Sequence, residues 1–415
     1  MSGAEGMRRH RPRGRLRSAA AMLTPMSATA AHLALERDAA ARWRRLVAAA
    51  RDRARERLHP RRPRMRALVA APGGRLRWRD VPAPPPPGPR AAVVHPIAIA
   101  TCDLDRALVL GATPFPLPLH LGHECVAEVL AVGEEVTTVQ PGQRVVVPFQ
   151  ISCGRCAPCR AELPGNCAAV PPISMYGFGL GGGHWGGALS DQLTVPYADA
   201  MLVPLPDGID PAAAASVGDN VSDGWRHIGP FLPDLLLRDP DAEVVILGAL
   251  TRRSVFSPSV ALYAGLVARA LGARRVHLAD GRASVRDQAE RLGLQVLRPS
   301  ELRRRPPAPL VADISAHPRG LRLALTSTAP DGICSSVGGL YRNARIPAGL
   351  LYGRNASYRV GRTHARTVIP RVLELMTDRR LHPETVTTTL ASLDDAPVVL
   401  YDHVVGDGTK TVLTA

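Results

Sequence analysis

The chain has 415 residues, 46% of them hydrophobic, and a formal net charge of +16, enough length for two domains with separate cores. The charge is lopsided: residues 1–64 carry seventeen Arg and five acidic residues, so the remainder is close to neutral, which argues against a nucleic-acid-binding body. No stretch is long and apolar enough to span a membrane, and the expected setting is cytoplasmic, with neither membrane nor nucleic acid among the partners.

The first 64 residues are Arg-dense and broken by Pro and Gly, which predicts a largely disordered extension. Leu33, Trp43, Leu46 and Val47 among Arg and Ala predict an exposed helix within residues 31–58. An export signal is disfavoured because the apolar run 19–34 is interrupted by Thr24, Pro25, Ser27, Thr29 and His32.

From Met65 the pattern turns to short strands. Runs at 67–70, 76–79, 91–100, 126–132 and 144–147, separated by Gly and Pro, predict an antiparallel barrel-like module over 65–218. The proline run 83–89 reads as a stiff surface connector. From Asp219 strands and helices alternate. Apolar strands at 243–248 and 275–280, helices at 259–271 and 283–292, and strands at 310–313 and 333–337 predict a doubly wound parallel sheet over 219–348. Residues 349–415 return to strands around one long helix near 364–376, so that a barrel is split by an inserted nucleotide-type fold.

Two clusters carry metal chemistry. Cys153, Cys156, Cys159 and Cys167 follow the spacing C-x2-C-x2-C-x7-C, which lets four thiols converge on one tetrahedral ion. Pro158 and Gly165 supply turns, and closed sulfur sites prefer zinc. A redox pair or two disulfides is the alternative. Cys102, His123 and Asp219 would form a mixed set that leaves one position open, as a catalytic zinc requires. Singly they read as a core thiol, a turn histidine and a helix N-cap.

The Cys102-x-x-Asp105 element, the Gly122-His123-Glu124 triplet, the four-cysteine knuckle and the turn at Pro141-Gly142 together resemble the zinc-containing medium-chain alcohol dehydrogenases. The likeness covers Met65 to Ala415, and the segment Asp219-Asn-Val-Ser-Asp-Gly224-Trp is similar to the subset whose third ligand is aspartate. It implies a GroES-like barrel domain with an inserted Rossmann domain. It also implies two Zn2+ per chain: a catalytic one on Cys102, His123 and Asp219, and a structural one on the knuckle. Asp105 would accept from the distal nitrogen of His123, and Glu124 would tune the field at the metal. The substrate would be a small-molecule alcohol, aldehyde or ketone, and the assembly a homodimer or homotetramer. For the cofactor, Gly248 would open the phosphate loop, and Asp280, ending the second strand, would accept from ribose and favour NAD over NADP. Lys410, the only lysine, matches a basic position that touches pyrophosphate in that family.

Three features depart from that pattern. Leu104 stands where the family carries a proton-relaying hydroxyl, and leucine can neither donate nor accept. The loop after Gly248 lacks the next two glycines and carries an insertion of roughly eight residues before Ser259, with Arg252 and Arg253 as candidate phosphate partners. Asp223 replaces a threonine near the nicotinamide. These departures sustain an alternative: a cofactor-poor or non-catalytic zinc-binding protein on the same fold. Cys125 and Cys334 read as buried thiols, Met175 and Tyr176 as candidates to line substrate space, and His184 and His364 as non-catalytic.

Overall fold

The computed structural model of the chain describes residues 62–113, 115–179, 183, 185–338 and 343–415. The basic extension up to residue 61, with its expected helix, and His184 lie outside the described residues.

Strands β1 (Arg64–Ala71), β2 (Arg75–Pro82), β3 (Ala92–Ala100), β4 (Leu119–His120), β5 (Glu124–Val132), β6 (Arg144–Val147), β7 (Leu193–Val195) and β8 (Val203–Pro204) build the barrel module. Beyond it come β9 (Glu243–Leu247), β10 (Arg275–Ala279), β11 (Gln295–Leu297), β12 (Ala308–Asp313), β13 (Thr328–Ser336) and β14 (Ser357–Val360). Finally β15 (Thr389–Ser392) and β16 (Thr411–Thr414) return to the barrel.

The barrel sheet runs β15-β16-β3-β5-β6-β8, with β7 also on β3, and a small sheet β2-β1-β4 lies beside it. β3 contains Pro96, which has no N–H for the ladder, and its register against β5 shifts between Pro96 and Ala98. The tail closes this sheet: β16 pairs antiparallel to β3, with Val412 opposite Ala100.

The second sheet runs β11-β10-β9-β12-β13-β14 and is parallel throughout. β9 reads Glu-Val-Val-Ile-Leu with its last four residues buried, the continuous apolar run expected of a strand covered on both faces. Strand order reverses between β9 and β12, so the crevice at their carboxyl ends is the place for a ligand. β14 carries this sheet past residue 348, because it pairs with β13. That edge strand is largely exposed and carries no apolar period to announce it.

The helix Asn220–Ile228 joins the two modules and packs on the helix Ser259–Ala270. Gly224 permits the approach, since a Cβ there would lie 2.8 Å from the Ala264 nitrogen. One apolar core spans both sides, with Val126, Val146 and Val221 packed in the same cluster as Val244, Ile246 and Leu262. Among the described residues no helix is long and apolar enough to cross a membrane.

Two buried histidines make this core acid-sensitive. Burial, reinforced by Arg226, lowers His227 to about 4. Burial, with Arg106 and Lys410 behind it, lowers His403 to about 3. Both folded values lie below the unfolded value near 6.5, so the unfolded chain binds the proton first. Their stabilisation is complete above about pH 6.5 and is lost as pH falls toward the folded values, about 3 kcal/mol for His227 by pH 4. Melting temperature should therefore drop between pH 6.5 and 4, and drop less steeply in His403→Gln. An identical slope in that variant removes His403 from the account.

Candidate metal centres

Cys102 follows β3, His123 precedes β5, and Asp219 immediately precedes the helix Asn220–Ile228 without capping it through its side chain, so three separate elements meet at one point. Ligand atoms of Cys102, His123, Glu124 and Asp219 all lie within 4.8 Å of one another, and all four residues are buried. Asp219 Oδ2 is 3.4 Å from Cys102 Sγ and 3.4 Å from His123 Nε2. Neither ring nitrogen of His123 has a hydrogen-bond partner, although the ring is buried. Burial pushes the Cys102 thiol well above its ordinary value, and Asp219 and Glu124 push it the same way. A thiol so placed ionises only beside a cation. Mixed S, N and O donors with orphaned imidazole nitrogens fit a zinc ion.

Neighbouring side chains shape this point. Asn220 Nδ2 donates to Cys102 Sγ at 3.4 Å and to Asp219 Oδ2 at 3.2 Å. The rings of Phe178 and Phe149 stand 4.7 and 6.1 Å from the His123 ring, giving the centre an apolar wall that the sequence did not single out. Tyr176, a candidate to line substrate space, is buried with its hydroxyl donating to the Thr194 carbonyl, and Met175 is buried beside it. Asp105 does not bond His123 as expected. Its Oδ2 accepts from the Cys102 N–H at 2.8 Å, a tight turn after the ligand, while Oδ1 and the His123 nitrogens stay unpaired.

Lys410 lies elsewhere than expected. It is fully buried: Nζ donates to the Thr101 carbonyl, to Glu124 at 3.1 Å and to Asn220 Oδ1 at 2.8 Å. Burial alone would lower its pKa, but Glu124, with Tyr263, Asp103 and Cys102, outweighs that and lifts it. The pairing of β16 with β3 sets the ammonium beneath the metal ligands, one side chain away from the helix that begins at Ser259, because Asn220 Oδ1 also accepts from the Ser259 hydroxyl.

The four knuckle sulfurs also lie within 4.8 Å of one another, and none is joined in a disulfide. Backbone amides point at them: Cys153 N–H to Cys167 Sγ at 3.3 Å, Ala168 N–H to Cys156 Sγ at 3.4 Å, and Arg155 N–H to Cys153 Sγ at 3.5 Å. Such bonds favour thiolate, and Cys156 is lowered to about 6, chiefly by the amide of Cys159. Cys159 is pushed up to about 12 by burial. Gly154 turns with φ of 72° where a Cβ would meet Ala200 at 2.6 Å. His364 Nδ1 accepts from the Gly165 N–H, so this histidine braces the lobe.

The crevice of the parallel sheet is closed. Gly248 lies under the Asp280 carboxylate, which a Cβ would approach to 2.3 Å. Asp280 is fully buried and gripped by Arg282, Nε to Oδ1 at 2.9 Å and Nη2 to Oδ2 at 2.8 Å, with the Ala249 N–H at 2.9 Å. The expected preference for NAD rested on a carboxylate free to meet ribose, and Arg282 removes that ground. Arg252 and Arg253 are exposed on the loop after Gly248. Burial pushes the Asp223 carboxyl up, but Arg226, paired at 2.7 Å, and His227 together outweigh it and hold the group below the usual range.

Residues 88–207 match the family model for the alcohol dehydrogenase GroES-like domain. The chain is 29% identical, over 80% of its length and 83% of the relative's, to a probable zinc-binding alcohol dehydrogenase of Mycobacterium tuberculosis. It is 30% identical to a medium chain reductase/dehydrogenase of Acremonium sp, over 52% of this chain and 74% of that one. Among solved structures, alcohol dehydrogenase TADH from Thermus sp. ATN1 superposes with a TM-score of 0.74 at 28% identity, covering 84% of this chain and 99% of that one.

Proposed function

The chain belongs to the zinc-type medium-chain dehydrogenase/reductase family, and from that premise we propose that it is a zinc-dependent alcohol dehydrogenase. It would interconvert an alcohol and the corresponding aldehyde or ketone, with a nicotinamide dinucleotide as hydride partner. The observation that carries this reading is the convergence of Cys102, His123 and Asp219 on one buried point with imidazole nitrogens left unpaired.

On this reading Cys102, His123 and Asp219 hold the catalytic zinc, and Glu124 stands beside them. Zinc held there supplies Lewis acidity that lowers the pKa of a substrate hydroxyl. Asn220 steadies the Cys102 sulfur with its Nδ2–H, and Lys410 balances the charge of Glu124. Phe149 and Phe178 keep water off one side of the imidazole and offer an apolar face to substrate. Leu104, whose N–H points at the Cys102 sulfur, has no exchangeable side-chain proton, so the alcohol proton leaves by another route. Cys153, Cys156, Cys159 and Cys167 hold the second zinc, which orders their lobe.

The experiment is metal analysis of the purified chain, joined to a panel of alcohols, aldehydes and ketones followed by absorbance of the reduced nicotinamide at millimolar NAD and NADP. Two zinc ions per chain and turnover of at least one panel member are expected. A metal content of one or none, or silence across the panel with both zincs present, would sink the activity. A second reading, a zinc protein on this fold with little use for dinucleotide, is favoured by one observation: the crevice beside Gly248 keeps a cavity of only about 10 Å³. Silence with both zincs in place would select it.

A further inference from the structure

In a Rossmann βαβ unit the pyrophosphate of a dinucleotide sits on the N-terminal turn of the helix after the first strand, where unpaired amides and the helix dipole favour an anion. The corresponding helix here is Ser259–Ala270, after β9. Its first amides are already taken. Asp103, the residue after Cys102, places its carboxylate on that turn from the opposite module. Oδ1 accepts from the Ser259 N–H at 3.0 Å and from the Ser259 hydroxyl, and Oδ2 accepts from the Val260 N–H at 3.1 Å. The side chain is buried, and the Asp103 carbonyl also accepts from the Ser257 N–H at 3.1 Å, which ties the inserted loop to the same residue.

Two further contacts shut the path. The backbone of Thr251 lies so close over Gly281 that a Cβ there would meet it at 2.6 Å, covering the end of β10. Arg282 holds both oxygens of Asp280 and donates to the Phe256 carbonyl at 2.9 Å, pinning the loop from below. As arranged, these residues do not fit a dinucleotide. A pyrophosphate would have to expel one carboxylate from the helix end and then lie beside its charge.

We propose that Asp103 sets the dinucleotide affinity of this chain, acting as an internal occupant of the pyrophosphate seat. This rests on the reading of the crevice as a dinucleotide site. The consequence is weak binding of NAD or NADP until Asp103 leaves the helix, and a gain in affinity when its carboxylate is removed.

The test is binding, independent of turnover. The full-length zinc-loaded chain, Asp103→Ser and Asp103→Asn are titrated with NADH by fluorescence and with ADP-ribose and adenosine by calorimetry. Zinc content and melting temperature are checked for each. Asp103→Ser, which clears both charge and bulk, should bind NADH and ADP-ribose at least about tenfold more tightly than the natural chain, while adenosine, which has no phosphate, gains nothing. Asp103→Asn, which loses only the charge, should show a smaller gain, and it carries the test should the serine variant fail to fold. Affinities for NADH within twofold of the natural chain, looser binding, or an equal gain for adenosine would overturn the proposal. Tighter NADH binding without turnover of any alcohol would sink the activity and leave this inference standing.

Discussion

Cys102→Ala should leave a folded chain that has lost one zinc of two and at least about a thousandfold in kcat/KM, the share of rate that Lewis-acid stabilisation of several kcal/mol supplies. The fold should survive because Cys102 lies beyond the end of β3, whose pairing with β5 and β16 is set by backbone bonds and apolar neighbours. The metal should not, because Sγ is the only soft donor in the set. What remains is a histidine and two carboxylates, one of them already engaged by Lys410. Metal analysis should read one zinc, held by the knuckle, with the melting temperature within a few degrees of the natural chain. A variant that keeps both zincs would place the catalytic ion elsewhere.

Cys167→Ser should act on stability instead. The lobe near residues 153–167 contains a single helical turn at Ala157–Arg160 and a 3-10 turn at Pro164–Asn166. Apart from Pro164 and the sulfurs of Cys153 and Cys167, almost nothing in it is buried. Without a metal it has no core of its own, and the three remaining cysteines, which backbone amides bias toward thiolate, have nothing to balance their charge. The expected cost is about 3–5 kcal/mol, or a fall in melting temperature of about 10 °C. Early proteolysis between residues 154 and 166 should accompany it. The bonds that fasten the lobe to the helix Ala365–Thr377, Gly165 N–H to His364 and Thr367 hydroxyl to the Glu162 carbonyl, should loosen as well. Zinc at the other centre should be retained, and unchanged melting with one zinc lost would show that the lobe stands unaided.

The parts of the molecule legible in the sequence are those in which spacing alone dictates geometry. Two gaps of two residues and one of seven bring four sulfurs together, and apolar runs such as Glu243–Leu247 announce strands covered on both faces. The fold class followed from strand–helix alternation for the same reason. Positions that depend on distant chain segments were not legible. Asp103 has no period or motif of its own; its role follows from a helix that begins at Ser259. Lys410 was placed by analogy at the phosphates, yet the register of β16 against β3 sets it under Glu124. For Asp280 the missing clue lay two residues on, since an arginine there can fold back upon the acid that precedes it. β14 escaped because an exposed edge strand shows no buried stripe.

The position of β16 between β15 and β3 bears on how the protein is made. On a ribosome the barrel's opening strands emerge early, yet the neighbour that pairs with Ala98–Ala100 of β3 arrives only with residues 411–414. Until then this end of β3 offers unpaired amides and carbonyls to any passing strand. Glu124 and Asn220 likewise wait for the ammonium of Lys410. The solvent-shielded metal pocket is thus assembled after translation of nearly the whole polypeptide, and a nascent chain halted before Thr411 would be prone to self-association.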